Sequence, residues 1–85
     1  MDTYRTNLRN LLEHTLRNNL ITVLFQPVIH LGRQRVTGFE ASIRGQEGTM
    51  LHHMAALLDT AEQFGRLADL EIQAAKQIMK RFVEM

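Results

Sequence analysis

A carboxylate and a guanidinium, Glu40 and Arg44, lie four residues apart in a segment that reads as a strand, Arg35-Val36-Thr37-Gly38-Phe39-Glu40-Ala41-Ser42-Ile43-Arg44. Side chains alternate across a strand, so Gly38, Glu40, Ser42 and Arg44 share one face and Phe39, Ala41 and Ile43 the other. Such a pair on one face can serve as a metal ligand and a phosphate clamp. Spacing alone favours the ordinary alternative, a solvated face with a weak exposed ion pair. The four histidines carry less chemistry. His14 falls on the polar side of a helical segment and His30 sits at a turn. His52 and His53 are adjacent in what reads as the first turn of a helix, so they diverge by ~100° instead of sharing a face. Met50, Met54, Met79 and Met85 read as core or interface filler. No Gly-rich phosphate loop, nucleophile elbow or zinc spacing occurs.

The elements that must position Glu40 and Arg44 follow from periodicity. Leu8, Leu11, Leu12, Leu16 and Leu20 recur at helical spacing, which predicts an amphipathic helix over 3–18 that stops at Asn18-Asn19. Residues 20–30 are nearly all apolar, and many are β-branched or aromatic. That run predicts a strand buried on both faces. Pro27 lacks an N–H, so it requires an edge or a bulge. A turn over Leu31-Gly32-Arg33-Gln34 leads into the second strand, 35–44, and the two should form an antiparallel hairpin. Thr49 can cap a helix over 50–64 with an apolar face of Met50, Met54, Leu57, Leu58 and Ala61, and Gly65 ends it. A last helix is predicted over 67–83. Asp69 and Glu71 near its start and Lys80 and Arg81 near its end complement the helix dipole. The expected class is α/β, in the order helix–strand–strand–helix–helix.

Composition narrows the setting. The chain has 85 residues, read as one unit spanning 1–85, with 45% apolar and 22% charged residues. A chain this short hides only about 60% of the surface of its unfolded form, so its core is marginal without a partner. Ten basic against nine acidic residues, without blocks of like charge, give no electrostatic case for nucleic acid or an anionic membrane. The absence of cysteine excludes a disulfide framework and a thiolate metal site. A cytoplasmic location is expected on that ground. No apolar run approaches the ~20 residues of a membrane span.

Four short motifs in register add a resemblance. Phe25-Gln26-Pro27-Val28-Ile29, then Gly38-Phe39-Glu40-Ala41-Ser42-Ile43-Arg44, then Leu57-Leu58, then Ala61-Glu62-Gln63-Phe64-Gly65 follow the order of an EAL domain opening. That family's pattern is Tyr/Phe-Gln-Pro-Ile, Gly-x-Glu-Ala-Leu-x-Arg, Phe-Ile and Ala-Glu-x-x-Gly. The resemblance spans Leu8 to Ile78, with about one residue deleted before the Ala-Glu step. It implies a modified TIM barrel that hydrolyses cyclic di-GMP, of which this chain resembles the first part, a truncated barrel fragment. It also implies that Glu40 stands at a metal-ligating glutamate, and that Gln26 and Arg44 stand at ligand contacts. For Gln26 and Glu40 to face one site, cross-strand partners must sum to an even number, as a three-residue Gly32-Arg33-Gln34 loop would arrange.

The departures point away from catalysis. Ser42 replaces the leucine of Glu-Ala-Leu, Gly45 replaces a tryptophan, and His52, His53 and Met54 occupy a region that is proline-rich in the family. The family's other ligands lie on later strands, and one glutamate does not build a site for a hard cation with about six oxygen ligands. Magnesium or manganese is expected in a complete active member, and no cofactor for this chain. The expected function is a non-catalytic EAL-like module in cyclic di-GMP signalling. It would act through a protein partner or as a homodimer or oligomer joined by the sheet edge or the last helix. The alternatives are a segment of a longer phosphodiesterase and a weak cyclic di-GMP binder using Gln26, Arg44 and Arg35.

Overall fold

The computed structural model describes residues 2–84. Met85, counted above among the methionines, lies outside the described residues. The elements are α1 (Thr3–Arg17), β1 (Thr22–His30), β2 (Arg35–Arg44), α2 (Met54–Gln63) and α3 (Leu67–Glu84). This is the helix–strand–strand–helix–helix order that periodicity predicts, with β1 and β2 antiparallel.

Both helix stops have identifiable chemistry. The N–H of Leu20 donates to the Thr15 carbonyl at 2.9 Å and that of Asn19 to Leu16 at 3.3 Å. Asn19 adopts φ 56°, the left-handed conformation that closes such an end. The same pair of bonds ends α2, from Arg66 to Ala61 at 2.7 Å and from Gly65 to Glu62 at 3.1 Å, around Gly65 at φ 68°. At the other end of α1, the Asp2 carboxylate accepts the Arg5 N–H at 3.1 Å as an N-cap.

Two starts differ from expectation. β1 begins at Thr22, not at residue 20, because the Leu20 N–H is spent closing α1 and the Ile21 carbonyl accepts from Gln77 of α3 at 3.3 Å. The second helix begins at Met54, not at residue 50, and Thr49 does not cap it. The Thr49 hydroxyl instead donates to the Gln46 carbonyl at 2.7 Å, which closes a turn. The Gly45 N–H is shared between the carbonyls of Leu51 at 3.0 Å and His52 at 3.1 Å. Residues 46–52 are therefore a folded loop that plugs the core with a fully buried Leu51.

The core gathers Leu12 and Leu16 of α1, Val23 and Ile43 of the hairpin, Leu51, Leu57 and Ala61 of α2, and Leu70 and Ala74 of α3. Each buried leucine contributes on the order of 1.5–3 kcal/mol. β1 is not buried on both faces. Only Val23 is buried and Phe25 partly so, while Leu24, Val28 and Ile29 are exposed. The helices cover one face near the open end of the hairpin, and the rest projects beyond them. The radius of gyration, 15.2 Å, exceeds the roughly 12 Å of a compact chain of this length. The long axis is 56 Å against 23 and 22 Å for the others. Met50, Met54 and Met79 are exposed, so these methionines do not fill the core. No described helix is long and apolar enough to cross a membrane.

Candidate functional site

Gln26 and Glu40 are direct cross-strand partners. The even sum arises by a different route from the one expected. The turn holds four residues, 31–34, which pairs His30 with Arg35 and Ile29 with Val36 at an odd sum. A bulge then places Thr37 as an extra residue, and from Val28–Gly38 onward the sum is even. The Thr37 hydroxyl donates to the Val28 carbonyl at 3.2 Å beside this shift. Gln34 supplies the positive φ, 50°, that the turn requires, and the Arg33 N–H donates to His30 Nδ1 at 3.1 Å.

This register sorts the hairpin into two faces. One carries Thr22, Leu24, Gln26 and Val28 opposite Arg44, Ser42, Glu40 and Gly38. The other carries Val23, Phe25, Pro27 and Ile29 opposite Ile43, Ala41, Phe39 and Val36. The second face is apolar throughout. It packs into the core at Val23 and Ile43, meets Phe82 of α3 at Phe25 (ring centroids 6.3 Å apart), and is open at Phe39, Ile29 and Val36.

Gln26, Glu40 and Arg44 thus share a face but not a pocket. Arg44 pairs with Thr22, four residues along the strand from Glu40, which is about 13 Å. Gln26 and Glu40 are exposed, and no other carboxylate stands on their sheet face. Among the described residues, no three His, Cys, Asp or Glu side chains are gathered where they could hold a metal. Arg44 is half-buried and lines a shallow cleft of about 350 Å³ with Thr22, Leu24, Gly45, Glu47 and His52. Arg44 Nε and His52 Nδ1 are buried and have no hydrogen-bond partner.

Gly45 has a steric role at the edge of this cleft. A Cβ there would lie 2.2 Å from the Leu51 carbonyl oxygen. The position where the resemblance expects tryptophan therefore admits no side chain. His52 precedes α2 and His53 is its N-cap residue, with no side-chain capping bond, and their rings meet edge to face with centroids 5.0 Å apart. His14 is exposed, with Nδ1 3.1 Å from Asn18 Nδ2.

A larger groove, about 630 Å³, runs between the C-terminal half of α1 and α3. Periodicity does not reveal it, because it depends on how two helices splay. Charged and polar side chains of both helices line it together with Leu16 and Ile72. Arg66 Nε lies 3.2 Å from Glu13 Oε1, but off the N–H axis, so the contact is an ion pair and not a hydrogen bond. Arg66 Nη1 also reaches Asp69 at 3.2 Å. Gln73 donates to the Leu16 carbonyl at 2.9 Å and Gln77 to Asn19 Oδ1 at 2.8 Å, which ties α3 to the end of α1. Its lining fits a structural seam between helices better than a reaction site. Comparison with known proteins finds no family model that matches the chain, and no similar curated protein or solved structure.

Proposed function

We propose that this chain is a non-catalytic module of EAL type that works in cyclic di-GMP signalling by association with protein, not by hydrolysis. The observation that carries this reading is the contrast between the two hairpin faces. On the polar face, Glu40 has Gln26 opposite and no second carboxylate to share a cation. Divalent-metal hydrolysis needs several oxygen ligands around each ion. On the other face, Phe39, Ile29 and Val36 leave apolar surface open, which is how binding surfaces differ from solvated ones. The barrel-fragment reading of the fold belongs to the same proposal. It draws support from the four motifs in register and from the shared face of Gln26 and Glu40.

The test is incubation of the purified chain with cyclic di-GMP and either magnesium or manganese, followed by chromatography of the nucleotide. Intact dinucleotide after extended incubation is the expected result, and turnover would overturn the proposal. A second reading, a cyclic di-GMP binder, rests on Arg44 and His52, which line one cleft and each hold a buried polar atom without a hydrogen-bond partner. Calorimetry distinguishes it. Micromolar or tighter binding that Arg44→Ala abolishes favours the binder, and no heat of binding favours the association module.

A further inference from the structure

We infer that the exposed flank of α3 is a self-association seam, and that its occupant is a second copy of this chain running antiparallel. This rests on the association reading above and gives it a partner and a surface.

The core side of α3 is Leu67, Leu70, Ala74 and Ile78, all buried or half-buried. A separate row lies on its outer flank: Ala68, Ile72, Ala75 and Met79, spaced four, three and four residues. That spacing is the apolar seam of a coiled coil. All four are exposed, with Ile72 at 56% and Met79 at 65%. An amphipathic helix that serves only its own core needs one stripe. α3 carries two.

Size complementarity selects the orientation. In an antiparallel pair of seams, residues of the two alternating positions face each other at each level. Taking the two-fold axis between Gln73 and Ala74 sets Ala68 against the partner copy's Met79, and Ile72 against its Ala75. Every layer then joins one small and one large side chain, which fills an interface evenly. A parallel pair would stack alanine on alanine and methionine on methionine. Charge agrees with self-pairing. Asp69, which already meets Arg66 of its own chain at 3.2 Å, and Lys76 border the seam on the same side, and antiparallel pairing brings each Asp69 toward the other copy's Lys76 as a second cation, twice across the axis.

The chain as a whole, its projecting hairpin included, exposes 6254 Å², against the about 5,200 Å² of a compact monomer of its mass, so surface is left for a partner to cover.

The absence of native cysteine makes the test direct. Sedimentation equilibrium of the whole chain should give twice the monomer mass. Ala75→Glu places a carboxylate against the other copy's Ile72. It should weaken the dimer at least 100-fold while the circular dichroism stays unchanged, since Ala75 is exposed. Mixing Ala68→Cys with Met79→Cys chains under mild oxidation should yield the mixed disulfide, and Ala68→Cys alone should yield none. A monomer at all concentrations overturns the inference. So does a dimer indifferent to Ala75→Glu, or one lost instead in Phe39→Glu; that outcome leaves association intact but moves it to the hairpin face. Turnover of cyclic di-GMP would overturn the non-catalytic reading and leave the seam standing.

Discussion

Gly45→Ala tests the description of the 46–52 loop most directly. The added methyl would sit 2.2 Å from the Leu51 oxygen and 2.8 Å from its carbonyl carbon. Ordinary contact begins near 3.4 Å, so backbone must retreat by about an ångström, and backbone yields less readily than a flexible side-chain end. Such overpacking costs roughly 1–3 kcal/mol. The retreat also breaks the shared hydrogen bond from the Gly45 N–H to Leu51 and His52, which is worth about 0.5–1.5 kcal/mol. Leu51, fully buried, moves with its carbonyl. The sum is about 2–4 kcal/mol, against a total stability of roughly 4–13 kcal/mol for a chain of this length. A loss of 1 kcal/mol lowers the melting temperature of a domain this size by about 4–8 °C. The variant should therefore melt at least ~8 °C below the parent in a thermal scan followed by circular dichroism. A melting temperature within about 2 °C of the parent would refute both the close approach and the role of Leu51 as a plug.

Other substitutions probe separate links. Asn19→Ala removes both tolerance of the left-handed φ and the acceptor for Gln77, and should cost roughly 1–2 kcal/mol in urea denaturation. Leu57→Ala, at a fully buried position, should cost about 2–5 kcal/mol by the same measurement. Glu40→Gln, exposed and opposite Gln26, should change stability by no more than ~0.5 kcal/mol, and a larger loss would expose an unrecognised structural contact.

The elements were legible wherever one strong local signal dominated. α1, β2 and α3 fall within a residue of the periodicity reading because their apolar spacing and end signals agree. The misread segments are those where a local group found a distant partner. The Leu20 N–H and the Ile21 carbonyl look like strand groups in sequence, yet one closes a helix and the other binds Gln77, 56 residues on. Thr49 has the residue type of a helix cap, but its hydroxyl closes its own turn. For the candidate site, sequence placed Glu40 and Arg44 on one face and required Gln26 to join them. It did not reveal that a four-residue turn and a bulge would combine to achieve this. Nor did it show that Arg44 would be drawn into a cleft with His52, because that depends on how the loop after β2 folds back.

The 56 Å long axis governs how this molecule moves through solution. A prolate particle meets more frictional drag than a sphere of equal mass. A single copy will therefore leave a gel-filtration column early, where a larger globular standard elutes. Its rotation is also anisotropic, slow end over end and fast about the long axis. Amide vectors along the hairpin and those across it will relax at different rates with no internal motion at all. Nuclear relaxation data fitted to isotropic tumbling would then report flexibility in the β-ribbon where there is only shape.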